Sequence, residues 1–170
     1  MKSIELDAVD VLLLNQLQRD ASLSNQDLAA RVHTSPPTCL RRVKRLHDAG
    51  LIERQISILN PQRVAQAVGH GLTVIVEITL DRQDAEAMLA FEKRVATDNA
   101  VQQCYQVSPG PDFVLVVHAR HMTDYQALTK RLFTSDANVR NVKAFFSVKR
   151  SKFGAELPLS PEAGPGAVSA

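Results

Sequence analysis

The stretch Ser24–Gly50, SNQDLAARVHTSPPTCLRRVKRLHDAG, constrains the fold more than any other part of the chain. Ser24 is a helix-capping residue type, and Asp27 three positions later makes a near capping box. Leu28, Ala29 and Val32 then mark one buried face at helical spacing. His33 and Thr34 fall where the chain has to turn. Ser35 is a good N-cap, and Pro36 suits the first helical position, where its missing N–H would be unpaired anyway. The spacing predicts a second helix from about Pro36 to Asp48, stopped by Gly50 as a left-handed C′ residue. On a helical wheel Cys39, Leu40, Val43 and Leu46 share the inner side. Thr38, Arg41 and Arg45 point away from it, with Arg42 and Lys44 on the flanks. An Arg-rich helix face by itself is usually just solvated. Two capped helices about a short turn, the second one basic, form the unit that places a helix in the DNA major groove.

Charge is informative only locally. The whole chain carries +2, but between Arg31 and Arg54 six cations (Arg31, Arg41, Arg42, Lys44, Arg45, Arg54) face two acids, Asp48 and Glu53. A local basic face matters more for DNA than the sum over the chain. Thr38, Arg41 and Arg45 are expected at base edges. Arg42, Lys44, Arg54 and the Ser24 hydroxyl are expected at phosphates, which position without specifying. Ser35 and Pro37, at the start of the same helix, complete the expected DNA-binding set.

Upstream, Leu6, Val9, Leu13 and Leu17 recur near the helical period, and Asp7 and Asp10 sit in the first turn, where negative charge favours the helix dipole. Downstream, Leu51–Leu59 reads as extended, a small wing. Asn60-Pro61 breaks the pattern, a short helix follows over about Gln62–Val68, and Gly69-His70-Gly71 ends the linker. Beyond it Leu72–Leu80 alternates as a strand. Asp84–Thr97 reads as a helix burying Ala85, Met88, Leu89 and Val95. Val101–Val107 alternates, with Val101, Tyr105 and Val107 on one face, and Ser108–Asp112 turns. Phe113–Ala119 is an apolar run fit for a central strand. Thr123–Phe133 is helical, burying Tyr125, Leu128 and Leu132. Val139–Val148 is a last strand, with Val142, Ala144, Phe146 and Val148 inward.

The order β-α-β-β-α-β is the split-βαβ, ferredoxin-like unit. The fold class is therefore α+β: an N-terminal winged helix-turn-helix joined to a C-terminal ferredoxin-like βαββαβ domain. The domains are placed at 1–59 (reader), 60–71 (linker), 72–156 (sensing and oligomerisation) and 157–170 (a mobile, Pro/Gly/Ala/Ser-rich tail). Helices on one sheet face leave the other, with Ile75, Cys104 and Phe145, open to a second subunit.

The segment RVHTSPPTCLRRVKRLHDAGLIERQISILNP resembles the signature of the Lrp/AsnC (feast/famine) transcriptional regulators. CYQVSPGPDFVLVVHARHMTDYQALTKRLF resembles the sensing domain of the same family, and the likeness runs from Leu6 to about Leu159. It implies a DNA-binding regulator that forms homodimers and often assembles further to tetramers or octamers. It also implies an amino acid or related metabolite bound between sensing domains, with Ser108, Gly110, Asp112 and position 144 as effector contacts. Two departures stand out. Pro109 occupies a position where the family carries Gly, fixing φ and removing an amide donor. Ala144 replaces a usual Thr, losing a hydroxyl. Asp112 is in place, either to meet an α-amino group or to cap its own turn. A different or weaker effector, or none, is the expectation.

Other classes are weighed against this. Enzymes of the same two-domain layout, the sirohaem decarboxylases, need His and Arg in the second domain, and His118, Arg120 and His121 lie there. An architectural DNA binder without effector is a third reading. Cys39 and Cys104 are far apart without a CxxC partner, so neither zinc nor a disulfide framework is suggested. No cofactor or metal is expected. No stretch reaches the roughly 18 apolar residues of a membrane helix, and the acidic N-terminus is unlike a signal peptide. A cytoplasmic, nucleoid-associated protein, not an enzyme, is the expectation.

Overall fold

A computed structural model describes residues 5–69 and 71–160. The chain divides into two compact units, Met1–Ile58 with Lys152–Ala170, and Leu59–Ser151.

The first unit holds α1 (Ala8–Arg19), α2 (Asn25–Arg31) and α3 (Pro36–Asp48). Asp7 and Asp10 form a reciprocal capping box at the start of α1. Ser24 caps α2, its hydroxyl accepting the Asp27 amide at 3.1 Å. The turn that follows is made by His33 at φ 54, a left-handed conformation that costs a side chain with a Cβ about 1–2 kcal/mol. Gly50, at φ 72, ends α3: its N–H donates to the His47 carbonyl and that of Leu51 to the Leu46 carbonyl. Leu13, Leu14, Leu28, Ala29, Val32, Cys39 and Leu46 form the core. Leu40, expected inward, is 61% exposed. The inner arc of α3 is narrower than the wheel drawn from sequence, because only Cys39, Val43 and Leu46 meet α1 and α2. The wing segment 51–60 runs without a strand and exposes Ile56, Ile58 and Leu59.

The unit is closed from far along the chain. Gln18 grips the Leu157 backbone from both sides, its Oε1 accepting the N–H at 2.6 Å and its Nε2 donating to the carbonyl at 3.2 Å. Asn15 Nδ2 donates to the Leu159 carbonyl at 3.1 Å, Arg19 meets Glu156 at 3.4 Å, and Leu159 packs on the core. The segment from Lys152 thus packs with the reader, and two side-chain amides and an apolar contact hold Leu157 and Leu159. Residues 161–170 of the expected tail lie outside the described residues.

The second unit opens with α4 (Pro61–Val68), capped by Asn60, and then builds β1 (Leu72–Leu80), α5 (Ala85–Ala96), β2 (Val101–Gln106), β3 (Phe113–Ala119), α6 (Met122–Thr129) and β4 (Val139–Phe146). A π-helical turn, Lys130–Thr134, extends α6. The antiparallel sheet has the order β2-β3-β1-β4, the ferredoxin-like arrangement. Val74, Val76, Ile78 and Leu80 alternate inward from β1, against Phe113, Leu115 and Val117 of β3 and against Phe91, Val95, Tyr125 and Leu128 from the helices.

Inward assignments shift on three elements. On α5 the buried pair is Phe91 and Val95, whereas Ala85 and Leu89 are exposed. Phe91 stacks 4.8 Å from Phe113, and that contact sets the helix rotation. On β2 a bulge between Val101 and Gln103 flips the register. Cys104 opposes Leu115 on the helix side, and Tyr105 opposes Val114 on the outer side. Cys104, expected outward, therefore packs on the core, and Tyr105, expected inward, is exposed. β4 is an edge strand that the helices cover only partly. Val142 touches the core and Phe146 meets Tyr125 edge-on at 5.2 Å, but Ala144 is exposed and Val148 lies beyond the strand, fully exposed.

Candidate functional site

The basic residues of α3 fall into two groups that sequence alone did not separate. Arg42 Nη1 lies 2.7 Å from Asp7 Oδ2 and 2.9 Å from Asp10 Oδ1, and Arg45 Nη2 donates to Asp10 Oδ2. The Asp10 carboxylate is wholly buried. A buried charge is tolerable only when paired and hydrogen-bonded, and two guanidiniums with the Asp7 amide meet that need. The amide of Asp10 and the Arg42 guanidinium hold the Asp7 carboxyl below its usual range, against a smaller opposing effect of burial. Arg41 and Lys44 form the second group: both are exposed, and neither has an acid partner among the described residues. A hollow of about 220 Å³ lies between the groups, lined by Asp7, Arg41, Arg42 and Arg45.

The polar residues at the helix start are also partly committed. Ser24 donates its only hydroxyl proton to Asp27 Oδ2 at 2.6 Å. As placed it has only lone pairs to offer, and a phosphate oxygen needs a donor. Ser35 makes no bond to the helix backbone; its hydroxyl donates to Thr38 Oγ1 at 2.9 Å, leaving the Thr38 proton available. Asn25 Nδ2 donates to the Pro36 carbonyl at 2.9 Å, pinning the first turn of α3 to α2. Pro37 and Arg54 are exposed, Arg54 on the extended segment. Cys39 is wholly buried in the core of the reader, and that burial pushes its thiol up.

In the second unit the four expected effector residues do not converge. Asp112 latches its own turn to β1: its Oδ2 accepts the Leu80 amide at 2.7 Å, and its N–H donates to the Ile78 carbonyl at 2.8 Å. Ala144 opposes Val76, on the helix side of the sheet. Gly110, at φ 131, instead borders an outer-face hollow of about 260 Å³, lined also by Glu77, Thr79, Pro111, Asn141 and Lys143. Ser108, Asp112 and Ala144 are not among its walls. Glu77 Oε2 and Lys143 Nζ stand 4.0 Å apart across adjacent strands. Their opposite charges on one face were readable as alternation, but not as neighbours of Gly110.

His118 and Arg120 share a third hollow, about 280 Å³, with Arg131, which Asp98 already engages at 2.6 Å. His121 is outside it, 3.0 Å from Asp124. Among the described residues no three His, Cys, Asp or Glu side chains are grouped to hold a metal. No helix of the described chain is long and apolar enough to cross a membrane.

Comparison with known proteins bears on both units. A winged helix-turn-helix DNA-binding family model matches residues 6–53, and the Lrp/AsnC ligand binding domain model matches residues 73–157. An HTH-type transcriptional regulator of Haemophilus influenzae is 35% identical over 86% of this chain and 85% of its own length. The leucine-responsive regulatory protein of Rhizobium meliloti is 32% identical over 92% and 97%. Among solved structures, an AsnC family regulator of Agrobacterium tumefaciens superposes with a TM-score of 0.78 at 29% identity, covering 90% of this chain and 97% of that one. A Neisseria meningitidis transcriptional regulator in complex with L-Met gives 0.77 at 27% identity, with coverage of 90% and 96%. With a reader matched at one end and a sensing fold at the other, the chain belongs to the Lrp/AsnC family of transcriptional regulators.

Proposed function

We propose that this regulator reads double-stranded DNA with the outward row of α3. Arg41 reaches a base edge and Lys44 a phosphate, with Thr38 and the clamped Arg45 beside them. The observation that carries the reading is the split among the cations: on the exposed side of α3, Arg41 and Lys44 have no acid partner among the described residues. Arg to guanine O6 and N7 is the commonest specific contact, worth about 1–3 kcal/mol of discrimination. Arg54 is a secondary phosphate contact, and Arg42 is held back by Asp7 and Asp10. Ser24 acts through the cap of α2 and Ser35 through its bond to Thr38, not on DNA.

The protein works as a homodimer or a larger assembly, because one such reader spans too few base pairs. Two half-sites about 34–36 Å apart suit a pair. The outer sheet face, with Ile75, Tyr105 and Phe145 exposed, and the unpaired extended segment with Ile56 and Ile58 are the apolar surfaces that support assembly. The effector is an amino acid held at the Gly110 hollow on that same face, with Glu77 for its ammonium and Lys143 for its carboxylate. The L-Met complex of the Neisseria relative supports this class. The cytoplasm, on the nucleoid, is the place of action, and regulation rather than catalysis is the activity.

Selection of bound sequences from a random duplex pool, with and without each proteinogenic amino acid, tests the whole reading. A two-fold symmetric motif whose enrichment changes with one amino acid is the expected result. No enrichment would overturn the reader assignment. Enrichment indifferent to every amino acid, with no change in sedimentation, would overturn the effector assignment alone.

A further inference from the structure

We infer that Asp10, with Asp7, sets the ratio of specific to random DNA binding by restraining two of the arginines on α3. The inference rests on the proposal that α3 reads DNA. A free arginine on a groove-facing helix attracts any phosphate, whatever the sequence. Arg42 and Arg45 are not free. Asp10 takes one nitrogen of each, and Asp7 takes Arg42 a second time. Asp10 is itself immobile: it lies in the first turn of α1, fully buried, and its Oδ2 also accepts the Asp7 amide at 3.1 Å. Three consequences follow from that geometry.

The clamp cancels most of the charge of two cations, so random duplex meets chiefly Arg41, Lys44 and Arg54. It anchors the guanidinium of Arg45, whose side chain is 46% exposed, at one nitrogen, which narrows the directions that the remaining donors can take. A fixed planar fork discriminates between base edges in a way that a mobile cation does not. It also ties α1 to α3 over more than thirty positions of sequence, fixing the rotation of α3 about its axis. Asp10 touches no DNA in this scheme. It is a positioning residue.

Asp10→Asn keeps the shape and removes the charge. The test uses full-length protein, a duplex enriched by the protein itself from a random pool, and a scrambled duplex of the same composition. Affinity for each is measured over a range of salt, and folding is checked by thermal melting. Freed arginines are expected to raise affinity for the scrambled duplex about three-fold and to steepen its log–log salt dependence by about one, since each added phosphate contact contributes about 0.9. Affinity for the enriched duplex is expected to fall, so that the ratio drops at least ten-fold.

A merely structural role would lower both affinities together. Asp48→Asn, which removes an exposed acid at the other end of α3, controls for bulk charge: both affinities should rise alike and leave the ratio unchanged. If Asp10→Asn does not fold, Asp7→Asn decides, because it releases only the outer hold on Arg42; the same direction with a smaller drop is expected. An unchanged ratio and slope in a folded variant, equal losses on both duplexes, or an equal fall in ratio for Asp48→Asn overturns the inference. Wild-type protein that enriches no duplex overturns the DNA reading beneath it instead.

Discussion

The reader and the sensing unit solve the problem of a small core in opposite ways. Among the described residues the reader buries a core cluster of seven side chains, and the sensing unit thirteen. The reader compensates with charge and with borrowed chain: a buried carboxylate joins α1 to α3, and Leu159 fills in beside the core. The sensing unit needs neither, since a four-stranded sheet with two helices encloses Phe91, Phe113 and Phe133. Its ion pairs, such as Arg131 with Asp98, lie around the core and not in it. Apolar packing tolerates neighbours of many kinds, whereas a clamp is lost with one proton or one atom. The unit that must hold a helix in register is the one built on polar geometry.

The comparison breaks most readily at Phe91. Phe91→Ala should cost about 3–5 kcal/mol and lower the melting transition of the sensing unit while leaving that of the reader in place. Calorimetry on the full chain reads both, and a single transition that moves as a whole would show that the units are not independent. Next in size, Arg41→Ala should remove about 1–3 kcal/mol of discrimination at one base pair in each half-site. Lys44→Ala should weaken all sequences and flatten the salt slope by about one. Competition assays with single-base variants separate the two, and equal losses on specific and random DNA for Arg41→Ala would reverse the assignment.

A smaller effect is expected at the closure of the reader. Leu159→Ala should cost that unit about 1–2 kcal/mol, seen as faster amide exchange in α1, with the sheet unaffected. The smallest effect is acid sensitivity. Arg131 holds the Asp98 carboxyl below its usual range, as the Asp10 amide and Arg42 hold that of Asp7. A depressed carboxyl contributes stability that is present above its unfolded pKa of about 3.9 and is lost as pH falls through the lower folded value. Asp98→Asn should therefore cost about 0.2–1 kcal/mol at neutral pH, a difference that shrinks as pH falls through the folded value. A difference indifferent to pH would point to packing.

How much was legible follows the same division. Ser24, Asp27, Pro36 and Gly50 act within a few residues of themselves, so the ends of α2 and α3 could be read directly. The alternation of β1 was equally plain, because a strand buried on one face writes its register into every second residue. What failed was non-local. Nothing near Arg45 announces an acid at position 10. The bulge that turned Cys104 inward lies between Gln and Val residues with no turn signal of their own. Leu89 has the right spacing for burial, but the position of Phe113 chooses Phe91 instead. At the Ser108–Asp112 turn the sequence left Asp112 two roles, an effector contact or a cap of its own turn, and it could not show the bond that makes the second. The Leu80 amide that occupies the carboxylate comes from a strand 32 positions earlier.

The return of the chain to α1 has a consequence for synthesis. Asn15 and Leu159, which bond to each other, are 144 positions apart. At the usual pace of about 5–20 residues per second, on the order of ten seconds separates their emergence from the ribosome. Throughout that interval the helices that meet DNA lack their last core contact, while the entire sensing sheet is being made. A nascent chain, or one cut short after the sheet, would carry a loosened reader. Completion of the sensing half is thus a condition for a fully assembled grip on the genome, imposed by the order of the chain and before any effector is bound.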